Sequence, residues 1–254
     1  MSQGSVPPEN APTMATSWPL RGRTALVTGA SRGIGRAIAL RLAELGARLL
    51  LVARDSQTLA VVKQDIINLV TTASVPDVLP CDLASVSEIA ALTSRIEAAG
   101  GCDILINTAG IGKIGAPLHE MPVEDFDAIL AINLRAPFLL MRAVVPHMIA
   151  HGSGDIVNIS SLAGQGPLAN GAAYSASKWA LNGLTYSTAE ELRAHNIRVS
   201  VVAPGSVNTS FGGGGKDHKK MLQPEDVANV VGMLVTQPPQ SFISEVRMRP
   251  TQKP

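Results

Sequence analysis

The chain has 254 residues, of which 46% are hydrophobic and 16% charged, with a formal net charge of +1. Near-neutral charge and an aromatic content of only 3% exclude the basic, aromatic-bearing surface of a nucleic-acid binder. Two cysteines, Cys81 and Cys102, are too few for a disulfide framework and read as packing residues in a reducing, cytoplasmic compartment.

Residues 1–21 are rich in Pro and Ser and carry neither a basic cluster nor an apolar run. No secretory signal is therefore expected; the pattern predicts a disordered lead-in, with one domain over residues 22–254. From Arg23 onward, apolar runs alternate with helical patterns. TALVTGA (24–30) reads as a strand and GRAIALRLAELG (35–46) as a helix stopped by Gly46. ARLLLVAR (47–54) is the next strand and SQTLAVVKQDIINLV (56–70) the next helix. PDVLPCD (76–82) is a weak strand before SVSEIAALTSRIEAAG (85–100), and CDILINTAG (102–110) is a strong one. Residues 123–152 read as one long helix, with Pro137 and Pro146 marking bends. GDIVNISS (154–161), a helix over 172–195, IRVSVVAPG (197–205), a helix over 223–237 and ISEVRMRP (243–250) complete the series. Strict alternation over seven strands predicts a doubly wound parallel sheet with helices on both faces. No stretch approaches the length of a membrane span, and a membrane partner is not expected.

The turn TGASRGIG (28–35) lies between the first strand and the first helix, the context a phosphate cradle requires. Its G-x-x-x-G-x-G spacing differs from the general dinucleotide fingerprint, so a plain βα turn is the competing reading. The turn resembles the cofactor loop of the short-chain dehydrogenase/reductase family. The resemblance recurs in order at NTAG (107–110), INL around Asn133, NISS (158–161), YSASK (174–178) and APGSVNT (203–209). One departure is Thr108, where the family reads Asn.

The resemblance implies a single-domain Rossmann fold and an oxidoreductase acting on a small carbonyl or alcohol. It implies a cofactor site made of Gly29, Ser31, Arg32, Gly33, Ile34, Gly35, Arg54, Asp82, Leu83, Asn107, Ala109, Gly110, Tyr174, Lys178, Pro204, Gly205, Val207 and Thr209. Asp82 would contact the adenine and Thr209 the nicotinamide side. An NAD enzyme carries an acid at the end of the second strand to bind the ribose 2′-OH. Here the matching position is Ala53, followed by Arg54, with Arg32 inside the glycine turn. Arginines suit a 2′-phosphate, so NADP(H) is the expected cofactor. Asp55 comes too late and is expected to cap the next helix.

Tyr174 and Lys178 are four apart on a helix and share a face. A nearby ammonium is expected to lower the phenol pKa, making Tyr174 the general acid and base. Ser161, rather than Ser160, matches the family's serine and falls at a strand's carboxyl end, where it would polarise the substrate oxygen. Asn133 is a poor helix residue; the resemblance implies that it holds a water in a proton relay to Lys178. It also implies a homotetramer or dimer, and a substrate lid at the glycine loop 211–215. The five histidines show no metal spacing, and no metal is expected. A non-catalytic cofactor sensor, and an epimerase or dehydratase on the same cofactor fold, are the competing functions.

Overall fold

Seven apolar runs become seven strands, all paired in parallel in the order β3-β2-β1-β4-β5-β6-β7. The computed structural model describes residues 18–71, 73–211 and 218–253. The strands are β1 (Thr24–Thr28), β2 (Arg48–Ala53), β3 (Asp77–Pro80), β4 (Ile104–Asn107), β5 (Gly154–Ile159), β6 (Ile197–Pro204) and β7 (Glu245–Met248). The helices are α1 (Gly33–Glu44), α2 (Ser56–Leu69), α3 (Val86–Ala98), α4 (Val123–Leu130), α5 (Ala136–His151), α6 (Ala172–Leu192) and α7 (Pro224–Val235).

The strands are apolar throughout because both sheet faces are covered. Successive side chains enter opposite cores. Ala25 and Val27 of β1, Leu49 and Leu51 of β2, and Ile104 and Ile106 of β4 join the layer under α1, α2 and α7. Leu26, Leu50 and Leu105 join the layer under α3, α5 and α6. The chain reverses its direction of winding between β1 and β4, which are adjacent in the sheet. The crevice above this point is where ligands bind in open α/β sheets.

Three expectations change. The long helix over 123–152 is two helices joined by a π turn, Ala131–Arg135, in which the Ala136 N–H reaches back to the Ala131 carbonyl. Pro137 stands in the first turn of α5, where its missing N–H is tolerated. Pro146 lies inside α5. Secondly, Val123–His151 is long and apolar enough to cross a membrane, at 29 residues. Its apolar character has another cause: Ala136, Leu140, Met141, Val144 and Met148 are buried in the fold's own core. Thirdly, the lead-in ends before residue 21. Leu20 is buried, and its N–H bonds to the Leu45 carbonyl at 3.0 Å, so Trp18–Arg21 belong to the domain. Residues 1–17, the rest of the expected disordered lead-in, lie outside the described residues.

The N-terminal edge of the sheet is closed by a charged clasp. Arg198 is the β6 partner of Asp155 on β5. The Asp155 carboxylate takes the Arg198 guanidinium at 2.7 Å and that of Arg23 at 2.8 Å. Arg23 also donates to the Asp103 carbonyl at 3.0 Å, and Arg198 to the carbonyls of Gln237, Pro238 and Ser241. One buried carboxylate thus joins β1, β4, β5, β6 and the segment after α7. Both cysteines are free and buried, as packing residues are, and the Cys102 thiol donates to the Ile104 carbonyl at 3.1 Å.

Candidate active site

The glycine turn is built by close backbone approach. Gly29 has φ +65°, and a Cβ there would stand 3.0 Å from the Ala109 Cα. A Cβ on Gly35 would collide with the Gly29 carbonyl oxygen. Bare backbone at Gly29 brings the β1 turn against the β4 turn, and at Gly35 it seats the first turn of α1 on the β1 turn. Gly33, the first residue of α1, lies under Thr209: a Cβ there would be 3.2 Å from the Thr209 methyl. The loops after β1, β4 and β6 therefore meet at one place. Thr28 fastens two of them. Its hydroxyl accepts from the Thr108 and Ala109 N–H groups at 3.0 and 3.1 Å and donates to the Ile106 carbonyl at 3.3 Å. Its sequence signal was a lone polar residue ending an apolar strand beside the first glycine.

The turn fits a phosphate. The N-cap of α1 is Arg32, which makes no side-chain cap, and the first turn of α1 has no acid. By contrast α2 is capped by Asp55, α3 by Ser85 and α7 by a capping box. The α1 dipole and its N–H groups are left for an anion. Ser31 and Ile34 are half-buried in this turn. Asp55 accepts from the Gln57 and Thr58 N–H groups at 2.7 and 3.4 Å, as expected of a cap, so it is committed to α2. Arg32 and Arg54 are exposed beyond β1 and β2, and neither forms an ion pair among the described residues.

The other expected cofactor positions on the loops lie at or just after the C-terminal ends of β3, β4 and β6. Asp82 follows β3; its carboxylate accepts from the Ala84 N–H at 3.0 Å, and Leu83 is buried beside it. Asn107 ends β4 and its side-chain Nδ2 donates to the Asn158 Oδ1 at 2.8 Å; the Asn158 Nδ2 in turn donates to the Thr185 hydroxyl at 2.8 Å. This buried amide ladder pins β4 and β5 to α6. Pro204 ends β6, the Gly205 N–H bonds to the Met248 carbonyl, and Val207 bridges to Leu222. The Thr108 hydroxyl oxygen is buried with no partner among the described residues.

Ser161, Tyr174 and Lys178 come together. Ser161 caps a short 3-10 turn, Leu162–Gly164, by accepting from the Ala163 N–H at 3.1 Å. That turn is clamped onto α6: Ser175 donates to the Ala163 carbonyl at 2.6 Å and Asn182 to the Gly164 carbonyl at 2.9 Å. The clamp brings the Ser161 hydroxyl near enough to the Tyr174 phenol to act on it electrostatically. Ser160 points away, as strand alternation requires; it is buried against the Lys178 carbonyl. The Lys178 ammonium donates to the Ile159 carbonyl at 2.8 Å and lies 5.8 Å from the centroid of the Tyr174 ring. Gly110 leaves room beside it: a Cβ there would be 3.7 Å from the Lys178 Nζ.

The electrostatics differ from expectation. Burial raises the Tyr174 pKa, and the nearby Ser161 hydroxyl only partly opposes it. The Lys178 ammonium is held over the ring by the Ile159 carbonyl. Burial also lowers the Lys178 pKa, to about 8. Both groups are out of water, and desolvation disfavours the charge on each. The phenol is held protonated, and the amine sits close to its titration point.

Asn133 is buried on the π turn. Its Oδ1 accepts from the Ile111 N–H at 2.9 Å, and its Nδ2 donates to the Ile111 carbonyl and the Ser177 hydroxyl, each at 3.0 Å. Ser177 donates onward to the Tyr174 carbonyl at 2.7 Å. The side chain is therefore a clamp between the β4 loop and α6. The role of Ser177 was missed in the sequence, although it lies inside YSASK. Of the expected lid, only Phe211 is described; residues 212–217 lie outside the described residues. Among the described residues no group of three or more His, Cys, Asp or Glu side chains is arranged to hold a metal ion.

Residues 23–219 match the family model described as short chain dehydrogenase. An uncharacterized oxidoreductase of Staphylococcus saprophyticus is 34% identical over 235 residues, 91% of this chain and 98% of that protein. A metagenomic short-chain oxidoreductase solved in complex with NADP is 50% identical, covers 92% of this chain and 100% of its own, and superposes with a TM-score of 0.82. A gluconate 5-dehydrogenase from Burkholderia cenocepacia, in complex with NADP and tartrate, is 28% identical over 91% of this chain and 95% of its own, with a TM-score of 0.82.

Proposed function

The chain belongs to the short-chain dehydrogenase family, and from that premise we propose that it interconverts a carbonyl and a secondary alcohol using NADP(H). The observation that carries this reading is the buried Tyr174 phenol, with the Ser161 hydroxyl near it and the Lys178 ammonium over its ring. When bound, the reduced nicotinamide supplies the hydride. Ser161 and Tyr174 converge as two hydroxyl donors on one substrate oxygen. The raised pKa keeps the Tyr174 proton in place until charge develops on that oxygen, which suits a general acid in the direction of reduction. Lys178 anchors the ribose hydroxyls as an ammonium. Asn133 positions α6 through Ser177. A water in the proton relay would use a backbone carbonyl of the π turn, since Pro137 has no N–H to return to Ile132 or Asn133. The preference for the phosphorylated cofactor rests on Arg32 and Arg54 together with Asp55 being committed to a cap. The NADP in the metagenomic relative supports it.

The same reading takes the protein as a homo-oligomer of the cytoplasm. Phe126, Phe138 and Trp179, on α4, α5 and α6, are exposed. An open groove of ≈ 570 Å³ runs between these helices, lined by Leu130, Leu134, Phe138 and Leu184. Such apolar surface is suited to a second copy of the chain, and it lies apart from Ser161 and Tyr174.

The cofactor reading is tested by binding. At pH 7 NADPH is expected to bind at least about tenfold more tightly than NADH, the worth of one charge-assisted contact. A Lys178 pKa of about 8 makes the ammonium present below that pH and absent above it, so NADPH affinity falls as pH rises through about 8. Lys178→Arg, charged at all these pH values, flattens that limb. Equal affinity for the two cofactors sinks the NADP assignment.

A further inference from the structure

We infer that the substrates are carbonyls bearing an apolar, aryl-sized substituent, and that Phe211 selects them. The inference rests on the reductase reading and names the substrate class of that site. Phe211 stands at the rim beside the proton donor: its ring centroid is 5.7 Å from that of Tyr174, with the planes tilted by 52°. Its N–H is pinned to the Thr209 hydroxyl at 3.3 Å. Gly112 makes room for the ring, since a Cβ there would lie 3.0 Å from the Phe211 Cε1 and 3.5 Å from the Ile114 Cδ1. Gly112, Ile114 and Phe211 thus form one apolar lip.

The lip is held rather than floppy. Asn133 clamps Ile111, and the Gly115 N–H bonds to the Asn170 carbonyl at 2.8 Å. Yet Phe211 is 45% and Ile114 46% exposed. Both present apolar area to solvent on the rim beside the phenol that donates the proton. The charged residue of that segment, Lys113, is drawn off to Asp125 on α4 at 3.3 Å. An anionic or polyhydroxylated substrate would set its hydroxyls against these two side chains without hydrogen-bond partners. An aryl group would instead pack on the Phe211 ring at offset-stacking distance and remove apolar area from water.

The test compares kcat/KM for benzylacetone, hydroxyacetone and keto-gluconic acid with NADPH, in the wild type and in Phe211→Ser and Ile114→Ser. Wild type is expected to favour benzylacetone, and each substitution to reduce the benzylacetone-to-hydroxyacetone ratio by about tenfold. Both side chains are half exposed, so the melting temperature of each variant should match wild type, which separates selectivity from folding. A wild-type preference for hydroxyacetone or keto-gluconic acid, or an unchanged ratio in both variants, overturns this inference and leaves the reductase reading standing. No turnover of any carbonyl with either nicotinamide overturns both.

Discussion

Tyr174→Phe is expected to lose at least about a thousandfold in kcat for carbonyl reduction, within the range assigned to a positioned general acid. NADPH affinity should stay within about threefold of wild type, since the substitution removes one hydroxyl and leaves a buried ring of the same shape. The split between kcat and cofactor affinity is what identifies the proton donor. The ring is packed against Lys178 and Phe211, and those contacts survive in Phe. The Ser161 hydroxyl keeps the Ala163 N–H. Single-turnover kinetics with fluorescence titration of NADPH measures both quantities. A variant that retains turnover within about tenfold would remove Tyr174 from the chemistry.

The second large effect lies at the other end of the sheet. Asp155→Ala strands two guanidiniums whose side chains are only 26% and 18% exposed. Removing one partner of a buried ion pair costs about 3–5 kcal/mol, and the low end applies because both arginines reach some water. For a chain of this size that corresponds to a fall in melting temperature of roughly 6–12 °C. Asp155→Asn, which keeps an acceptor for one arginine, should lose less. Glu44→Ala, which breaks the exposed Arg41–Glu44 pair, should change stability by no more than about 0.5 kcal/mol. Thermal unfolding of the three variants gives the order, and an Asp155→Ala melt like that of Glu44→Ala would show that the clasp is decorative.

Much of the fold was legible because it is written in continuous runs. The seven strands are apolar on both faces, and the sequence between them has helical period. The glycine turn was legible for the same reason: β1 ends in it and α1 begins in it, so position restricted its use. What escaped notice depends on contacts between distant segments. The π turn at Ala131–Arg135 has an unbroken helical pattern, and its extra residue is bound up with the Asn133 clamp on Ile111, 22 residues away. Asp155 and Arg198 look like ordinary charges at strand ends until β5 and β6 are paired. Leu20 belongs to no apolar run in the lead-in, and the C-terminal end of α1 gives it a place to go. Ser161, Tyr174 and Lys178 stand together in the structure, while the burial that raises the Tyr174 pKa is invisible in their spacing. Proximity alone puts an ammonium beside a phenol; burial of both decides the balance.

The central claim is that a hydride moves from the cofactor to a carbonyl carbon and stays there. The most direct measurement uses NADPH carrying deuterium at the transferable position, an aryl ketone, and mass spectrometry of the product. The expected product is an alcohol with one deuterium on the carbinol carbon, formed in step with NADPH consumed, and at least about a thousandfold more slowly with Tyr174→Phe. An unlabelled product with the cofactor returned unchanged, as an epimerase or dehydratase would leave it, would contradict the account, as would cofactor binding with no product at all.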